Sequence, residues 1–316
     1  MDLDATSSPA PADKPKGPSN LRLRVIWATL AAALLIGCTF GGPISFALFF
    51  AAVQAVILKE FYRIMRVSGY QPGAGIGIVA GCIIFGITAW GAYWINGNST
   101  VYIAGQPLQD MVSTQMRTEH VGLLAGAALS VVVLTSIAVL LRELVQWPNN
   151  QQPFANISIA VGGLFYVSVP MALLVLIAYG SGHYEPGRVF CLIFFVWAAD
   201  TGAYFAGKNF GKHKLAPSIS PGKTWEGWAG GAVLTLLVGW AAGYFLPDIP
   251  LSHRLVAAGV VAVFGPLGDL AESMLKRSAG VKDSGTFLPG HGGLLDRFDA
   301  FLLVLPVLAL LQVLVR

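Results

Sequence analysis

Acidic and basic side chains are concentrated in one apolar stretch toward the C-terminus, FGPLGDLAESMLKR. Its polar residues recur at intervals of three or four, which places them on one face of a helix: Asp269, Glu272, Ser273 and Lys276. A carboxylate inside an apolar membrane helix is costly, so it is usually kept for function or neutralised by a partner. The pattern therefore has two interpretations, which are oxygen ligands for a cation or a structural ion pair with Lys276 or Arg277.

The stretch that follows, KDSGTFLPGHGGLLDRFD, combines glycines, charges and one histidine in a predicted loop. Loops rich in accessible backbone amides bind anions. Carboxylate oxygens suit Mg²⁺, and this stretch contains Asp283, Asp296 and Asp299. Basic residues lie within it or just before it: Lys276, Arg277, Lys282 and Arg297. Together they favour a metal-bound polyphosphate as the ligand. The alternatives are a solvated loop with internal ion pairs and, for His291, a role only in holding the turn.

A second polar segment, DTGAYFAGKNFGKHKLAPSISPGKTWEG, starts at Asp200 within an apolar run. Its GKT triplet is not a phosphate-binding P-loop, because Pro217 occupies the position of the first glycine and no strand is predicted before it. We predict a polar turn that leads into a helix, with Thr224 near the helix N-terminus, where amides and the helix dipole attract phosphate. The alternatives are a structural role for Asp200 and a purely topological role for the lysines.

The composition identifies a polytopic membrane protein. Of the 316 residues, 55% are hydrophobic and 11% are charged, against about 25% charged residues in soluble domains. The long apolar runs lack the alternation of an outer-membrane barrel, so we predict an all-α fold. The three cysteines lie in apolar runs and indicate neither a disulfide framework nor a zinc site. We predict about nine transmembrane helices, at 23–40, 43–58, 76–95, 121–141, 156–180, 188–207, 227–246, 254–275 and 297–315.

The distribution of charge predicts both orientation and a division of labour. With a cytoplasmic N-terminus, sixteen of the 20 Lys and Arg residues fall inside, and the C-terminus lies outside. We expect a disordered cytoplasmic tail at 1–20, a transmembrane scaffold at 21–185 and a catalytic transmembrane region at 186–316. The first five predicted spans contain no acidic residue in their interiors. The chemistry is therefore expected in the last four spans.

The segment SMLKRSAGVKDSGTFLPGHGGLLDRFD resembles the signature of the phosphatidate cytidylyltransferases, also called CDP-diacylglycerol synthases. The segment from Asp200 to Gly227 also looks like a cytoplasmic segment of that family. The first half is similar to the family only in being hydrophobic and multi-spanning. The resemblance implies a reaction of CTP with phosphatidate that yields CDP-diacylglycerol and pyrophosphate for phospholipid biosynthesis. It also implies Mg²⁺, with a second cation as an option, and a site at the cytoplasmic face of a bacterial inner membrane.

The resemblance also implies roles for individual residues. Asp269 and Asp296 are expected to hold the metal, with Asp200, Asp283 and Asp299 as further candidates. The predicted catalytic set is Asp269, Asp283, Asp296, Lys276, Lys282, His291 and Arg297. The predicted substrate-binding set is Ser220, Lys223, Thr224, Arg277, Gly292 and Gly293. The expected partners are CTP, phosphatidate and membrane lipids, without nucleic acid, and a homodimer is left open.

Two other functions are compatible with parts of the sequence. One is a related CTP-dependent enzyme that acts on another lipid acceptor, such as an isoprenoid alcohol or an archaeal-type ether lipid. The other is an ion-coupled transporter in which Asp200 and Asp269 line an ion path. Transporters commonly place such charges near the bilayer midplane and show internal repeats. Here the charges cluster toward one membrane face, and no repeat is evident.

Overall fold

The fold is a bundle of helices, known from a computed structural model that describes residues 20–97, 102–103, 106–107, 111–180, 183–287 and 292–314. The predicted tail up to residue 19 lies outside these ranges. The first five helices are α1 (Asn20–Phe40), α2 (Pro43–Val67), α3 (Ala74–Gly97), α4 (Met111–Gln146) and α5 (Pro153–Gly163). The remaining helices are α6 (Val169–Ala178), α7 (Pro186–Phe210), α8 (Trp225–Ala241), α9 (Leu251–Ser278) and α10 (Leu295–Leu314).

Several helices of the described chain are candidates for membrane spans. Six segments are long and apolar enough to cross a bilayer: Pro43–Val67, Ala74–Ile95, Gly122–Gln146, Pro153–Ala178, Pro186–Phe210 and Leu251–Ser278. The apolar part of α1 is shorter, α8 has only 17 residues, and α10 begins with three charged side chains in its first five residues. The chain is thus a mostly helical, polytopic membrane protein, whereas the count of nine crossings stays a prediction.

The described structure contains two short antiparallel hairpins, although the sequence analysis predicted an all-α fold. Strands β1 (Tyr102–Ile103) and β2 (Gln106–Pro107) pair between α3 and α4. Strands β3 (Lys214–Ala216) and β4 (Ser220–Thr224) pair between α7 and α8. The expectation of a simple polar turn before α8 was therefore wrong. Strands of two to five residues are too short to show the alternation that reveals a strand in sequence.

Glycines allow two pairs of helices to touch through their backbones. A Cβ at Gly202 of α7 would lie 2.6 Å from the carbonyl oxygen of Gly230 in α8. A Cβ at Gly268 of α9 would lie 2.5 Å from the carbonyl oxygen of Asp299 and 2.9 Å from Cα of Ala300 in α10. Small residues permit such close approach in membrane bundles. The second crossing brings the residues that neighbour Gly268 directly against the start of α10.

A π-helical turn, Leu164–Ser168, joins α5 to α6 within one continuous span. The amide of Val169 bonds to the carbonyl of Leu164, which is the five-residue spacing of a π-turn. Pro170 follows and has no N–H, so the carbonyl four residues earlier, that of Tyr166, loses its usual helical donor. The local widening is therefore accounted for by Pro170.

The scaffold half contains two buried acidic residues, which lie just beyond the ends of the predicted spans. Helix α2 continues nine residues beyond the predicted end at 58, and it buries Glu60. Helix α4 likewise extends to Gln146 and buries Glu143, which pairs with Arg142 and accepts from Asn150 Nδ2 at 2.6 Å. The predicted span ends were too early, because each apolar window stopped at the first charged residue. The helices themselves continue beyond it.

Candidate active site

Three carboxylates converge where α9 meets α10. Asp269, Glu272 and Asp299 each place one oxygen within 4.8 Å of the others, and we call this group the carboxylate cluster. Asp269 and Glu272 are one helical turn apart on α9, as their spacing predicts. Asp299 joins them from α10 because the neighbouring Gly268 lets the two helix backbones touch. Asp299 also accepts from the amide of Ala300 at 2.8 Å.

Basic and acidic residues from the second polar segment complete the surroundings of this cluster. Lys223 Nζ, from β4, lies 2.6 Å from Asp269 Oδ2 and donates to the carbonyl of Pro266 at 3.2 Å. Asp200 of α7 interacts electrostatically with Asp269, Lys223 and Arg297. The short hairpin and the close packing of α7 on α8 thus bring both ends of the segment that begins at Asp200 to α9.

The described ion pairs set two lysines against the three carboxylates of the cluster. Two carboxylates at 4.8 Å repel by roughly 3 kcal/mol at an effective dielectric constant of 20. Lys223 contacts one cluster member, Asp269, and Lys276 is shared between Glu272 and a carboxylate outside the cluster. Glu272 Oε1 is buried and has no hydrogen-bond partner among the described residues. Because all the donors are oxygens, the set fits a hard divalent cation such as Mg²⁺.

Asp296 lies beside the carboxylate cluster but in a different environment. Its Oδ1 is 2.7 Å from Lys276 Nζ, and its Oδ2 accepts from Ser284 Oγ at 2.9 Å and from the amide of Gly293 at 2.8 Å. Lys276 also lies 2.5 Å from Glu272 Oε2. Protein donors contact both of its oxygens, and the expectation that Asp296 holds the metal stays a prediction. We call Asp296 and these partners the Asp296 network.

The Gly292–Gly293 pair is held inside this network. Gly292 has a φ of 82°, a left-handed conformation that glycine adopts without the strain that a side chain brings. A Cβ there would lie 2.8 Å from Asp296 Oδ2. Gly293 is buried and directs its amide at the same carboxylate. In the structure its amide therefore holds Asp296, whereas the sequence suggested that it orients a phosphate.

Glu60 of the scaffold half reaches the same loop. Its Oε2 accepts from the amide of Leu295 at 2.8 Å and from Ser284 Oγ at 3.3 Å. A Cβ at Gly285 or Gly293 would collide with the Glu60 carboxylate. Glu60 thus satisfies an otherwise orphan N–H at the start of α10, as a capping residue would, but from a distant helix. The sequence offers no signal for this contact, because 235 positions separate the partners.

Tyr166 is a second residue that the sequence analysis missed. It lies in the π-helical turn, and its hydroxyl group interacts electrostatically with Glu272 and Asp299. The hydroxyl is buried and has no hydrogen-bond partner among the described residues. π-turns occur frequently at functional sites, so the proline that follows the glycines in VGGLFYVSVP is the only local hint. Tyr166 places one hydroxyl donor next to the carboxylate cluster.

The remaining predicted residues divide by exposure. Lys282, Asp283, Arg277 and Arg297 are exposed around the cluster, where they are accessible to a ligand from solvent. Ser220 begins β4 and is half-buried, and the Thr224 hydroxyl is buried as the N-cap of α8, where it accepts from the amide of Gly227 at 3.1 Å. His291 lies outside the described residues. The described structure therefore separates surface cations from a more enclosed acidic centre.

Comparison with known proteins gives consistent matches along the chain. The family model described as "Cytidylyltransferase family" matches residues 22–315. A protein named phosphatidate cytidylyltransferase from Bacillus subtilis (strain 168) is 31% identical over 292 residues, which is 92% of this chain and 96% of that protein. Proteins of the same name from Staphylococcus saprophyticus and Staphylococcus aureus are 52% and 53% identical over 119 residues, which is 37% of this chain and 46% of each relative.

These matches and the site identify the chain as a membrane-embedded nucleotidyltransferase. The chain belongs to the cytidylyltransferase family. Within it, the chain is similar over nearly its whole length to a phosphatidate cytidylyltransferase, as the resemblance of its C-terminal motifs indicated. The family model also covers the N-terminal half, for which the motifs gave no information.

Proposed function

We propose that this chain transfers the CMP moiety of CTP to phosphatidate and releases pyrophosphate, so that the product is CDP-diacylglycerol. The observation that carries the proposal is the 31% identity over 92% of the chain with a relative named for this activity. The carboxylate cluster beside Lys223 supports it independently, because a nucleoside triphosphate needs both a cation site and positive side chains.

The reaction requires the neutralisation of charge more than proton transfer. A phosphate oxygen of phosphatidate attacks the α-phosphorus of CTP, a new P–O bond forms, and the bond to the pyrophosphate leaving group breaks. The attacking oxygen is already anionic near neutral pH, so a general base is not needed. The main barrier is the repulsion between two anionic reactants, which positioned cations and dipoles reduce.

Individual residues fit parts of this task. Asp269, Glu272 and Asp299, with Asp200 nearby, would hold Mg²⁺, which supplies positive charge against the phosphates. Lys223 is placed to bind phosphate next to Asp269, and the exposed cations around the cluster guide the triphosphate in: Arg277, Lys282 and Arg297. Lys276 is already engaged by Glu272 and Asp296, so its part is to keep α9 and α10 aligned.

The membrane placement follows from the same proposal. CTP is water-soluble, whereas phosphatidate keeps its tails in lipid and its headgroup at the surface. We place the site at the cytoplasmic face of a bacterial inner membrane, with nine crossings, a cytoplasmic N-terminus and an external C-terminus. The excess of Lys and Arg on one side supports this orientation. A homodimer and a second cation remain compatible with the proposal.

The test is an assay of the purified full chain in detergent with CTP and Mg²⁺. Separate reactions contain phosphatidate, an isoprenoid alcohol or an archaeal-type ether lipid phosphate. We expect CDP-diacylglycerol from phosphatidate and little product from the other acceptors. The absence of any CDP-lipid from phosphatidate would end the proposal, and preferential turnover of another acceptor would assign the chain to that substrate.

The orientation has its own test. Lys212 is exposed just before the β3–β4 hairpin, so a Lys212→Cys variant in a background without the three native cysteines offers one accessible thiol. A membrane-impermeant maleimide should label it in inverted membrane vesicles and leave it unlabelled in intact spheroplasts. The reverse pattern would place the site on the opposite face.

A further inference from the structure

A second polar centre lies at the opposite end of the helices that build the carboxylate cluster. A cavity of about 320 Å³ lies between the end of α6, the starts of α7 and α9 and the end of α10. Two arginines line it, Arg188 and Arg254. Twelve positions along α7 separate Arg188 from Asp200, and fifteen along α9 separate Arg254 from Asp269. At the helical rise per residue, these separations are about 18 and 22 Å, so the cavity is distinct from the candidate active site.

Arg254 is half-buried and places two of its three guanidinium nitrogens inside the described protein. Its Nε and Nη1 atoms are both buried, and neither has a hydrogen-bond partner among the described residues. The group packs directly on Gly243, where any Cβ would overlap it. A buried donor of a charged group that lacks a partner destabilises the protein, because it has lost its hydrogen bonds to water. The cavity thus presents a cation that an anion would satisfy.

A second arginine contributes donors to the same cavity. Arg188 Nη1 and Gln312 Nε2 lie 3.0 Å and 3.2 Å from the position that a Cβ of Gly180 would take, and all three residues line the cavity. Arg188 is partly neutralised, since its Nε lies 2.6 Å from Glu185 Oε2 and its Nη2 lies 4.0 Å from Asp248 Oδ2. Arg254 is therefore the stronger attractor for an anion.

The helix dipoles make this arrangement more anion-selective. Helices α7 and α9 both begin at the cavity, neither has an acidic residue in its first turn, and neither has a side-chain cap hydrogen bond. Each instead carries an arginine within its first four residues. Cations are disfavoured at the positive end of a helix, where orphan amides attract anions. Glu185, the N-cap residue of α7, already pairs with Arg188, so the arginine at the start of α9 is the one that a bound anion would neutralise.

Apart from the two arginines, His253 and Gln312, the lining is mostly hydrocarbon, which favours an amphiphile over an inorganic ion. Leu192, Phe195, Leu308 and Leu311 contribute apolar walls. Val256 also lines the cavity and is 49% exposed, so the cavity reaches the outer surface of the bundle. In a membrane-spanning chain that surface faces lipid. A ligand that matches both parts has a negative head and a flexible apolar tail.

We propose that this cavity binds the phosphate and the upper acyl chain of an anionic phospholipid in the leaflet opposite the carboxylate cluster. The phosphate lies between Arg254 and the start of α7, and the acyl chain follows the apolar wall toward Val256. The site is separate from the proposed catalytic function, and its occupancy does not require CTP or turnover. Its role is to neutralise Arg254 and to join α7, α9 and α10 at that membrane face.

The test compares lipid binding by the full chain and by Arg254→Gln in detergent. Native mass spectrometry after titration with phosphatidylglycerol should show affinity at least about tenfold weaker for the variant, as expected from the loss of a charged hydrogen bond. Arg66→Gln is the matched control, because Arg66 is an exposed arginine in the last turn of α2, and its affinity should be unchanged. Equal affinity of Arg254→Gln and the unaltered chain would overturn the proposal.

Two further arms distinguish the source of the anion and guard against misfolding. In thermal unfolding, vesicles of phosphatidylglycerol should stabilise the chain more than vesicles of phosphatidylcholine, and inorganic phosphate alone should not stabilise it. Stabilisation by phosphate equal to that by phosphatidylglycerol would overturn the assignment to a lipid. Ala257→Trp fills the cavity while it retains Arg254, so it should also lose the bound lipid. Retention of lipid by this variant would likewise contradict the proposal.

Discussion

Asp296 and Asp299 begin the same helix, three residues apart, yet their carboxylates have opposite surroundings. Asp296 accepts hydrogen bonds from a hydroxyl and a backbone amide and pairs with Lys276. Asp299 has one backbone donor, its neighbour's amide, and faces two other carboxylates. Hydrogen bonds from the protein stabilise the charge of Asp296, whereas the described residues offer fewer donors to Asp299. On the proposed function, Asp299 is therefore the candidate metal ligand of the DRFD motif, and Asp296 is the residue that holds the loop.

Lys276 and Glu272 connect the two regions. Lys276 bridges Asp296 and Glu272, and the second oxygen of Glu272 has no hydrogen-bond partner among the described residues. Lys276 therefore links the loop that Asp296 holds to Glu272, a candidate metal ligand. Substitutions in the two regions should separate effects on chemistry from effects on folding.

The largest effect on turnover is expected from the carboxylate cluster. Asp269→Asn removes one charge that would hold the metal but preserves the shape of the side chain. We expect CTP-dependent product formation to fall about 100-fold or more, by analogy with the loss of one electrostatic group in other active sites, with a nearly unchanged unfolding temperature. Near-normal turnover would remove Asp269 from the metal site. Stabilisation by Mg²⁺ in thermal unfolding should also weaken in this variant.

Asp296→Asn should damage stability as well as activity. It removes one of the two acidic partners that Lys276 has among the described residues, leaving Glu272, and it weakens the hold on Ser284 and Gly293. Breaking a largely buried ion pair costs about 3–5 kcal/mol. Chemical denaturation and limited proteolysis between α9 and α10 provide the measurement. If the variant were fully stable but inactive, Asp296 would return to the set of metal ligands.

A smaller effect is expected from Glu60→Gln, with Lys59→Gln as its adjacent control. Glu60 is buried and accepts from Leu295 and Ser284, whereas Lys59 is exposed on the same helix. Loss of the charged acceptor should reduce the free energy of unfolding by about 1–3 kcal/mol, and the control should change it by less than about 0.5 kcal/mol. Equal effects at the two positions would contradict a link between the scaffold and the Asp296 network.

The smallest effect should come from Thr224→Ala, which tests whether this hydroxyl serves the fold or the substrate. As an N-cap it should contribute about 1 kcal/mol to stability, and Thr224→Ser should restore it. We expect the KM for CTP to stay within about twofold of the unaltered value if capping is its role. A large rise in KM without loss of stability would instead support the predicted contact with phosphate.

The sequence alone identified candidate site residues where a charged side chain stands within an apolar run. Asp269 and Asp200 are conspicuous for that reason, and the motif pattern led to Asp299 and Lys223. It was insufficient for Glu60, because Lys59 and Glu60 read as the charged end of a span, and the partners of Glu60 are more than 220 positions away. Distinguishing Asp296 from Asp299 needed the donors around each one, which only the folded loop supplies.

On the proposal that the carboxylate cluster holds a cation, the touching backbones at Gly268 have a consequence for ion selectivity. The spacing between carboxylates on different helices is set there by main-chain atoms, which cannot shorten or lengthen as a side chain does by changing rotamer. Mg²⁺ tolerates little variation in the distances to its ligands, whereas Ca²⁺ accepts longer and looser coordination. A single methyl group at position 268 would push the helices apart and shift the preference toward the larger ion. The discrimination between the two metals would then reside in a residue that binds neither.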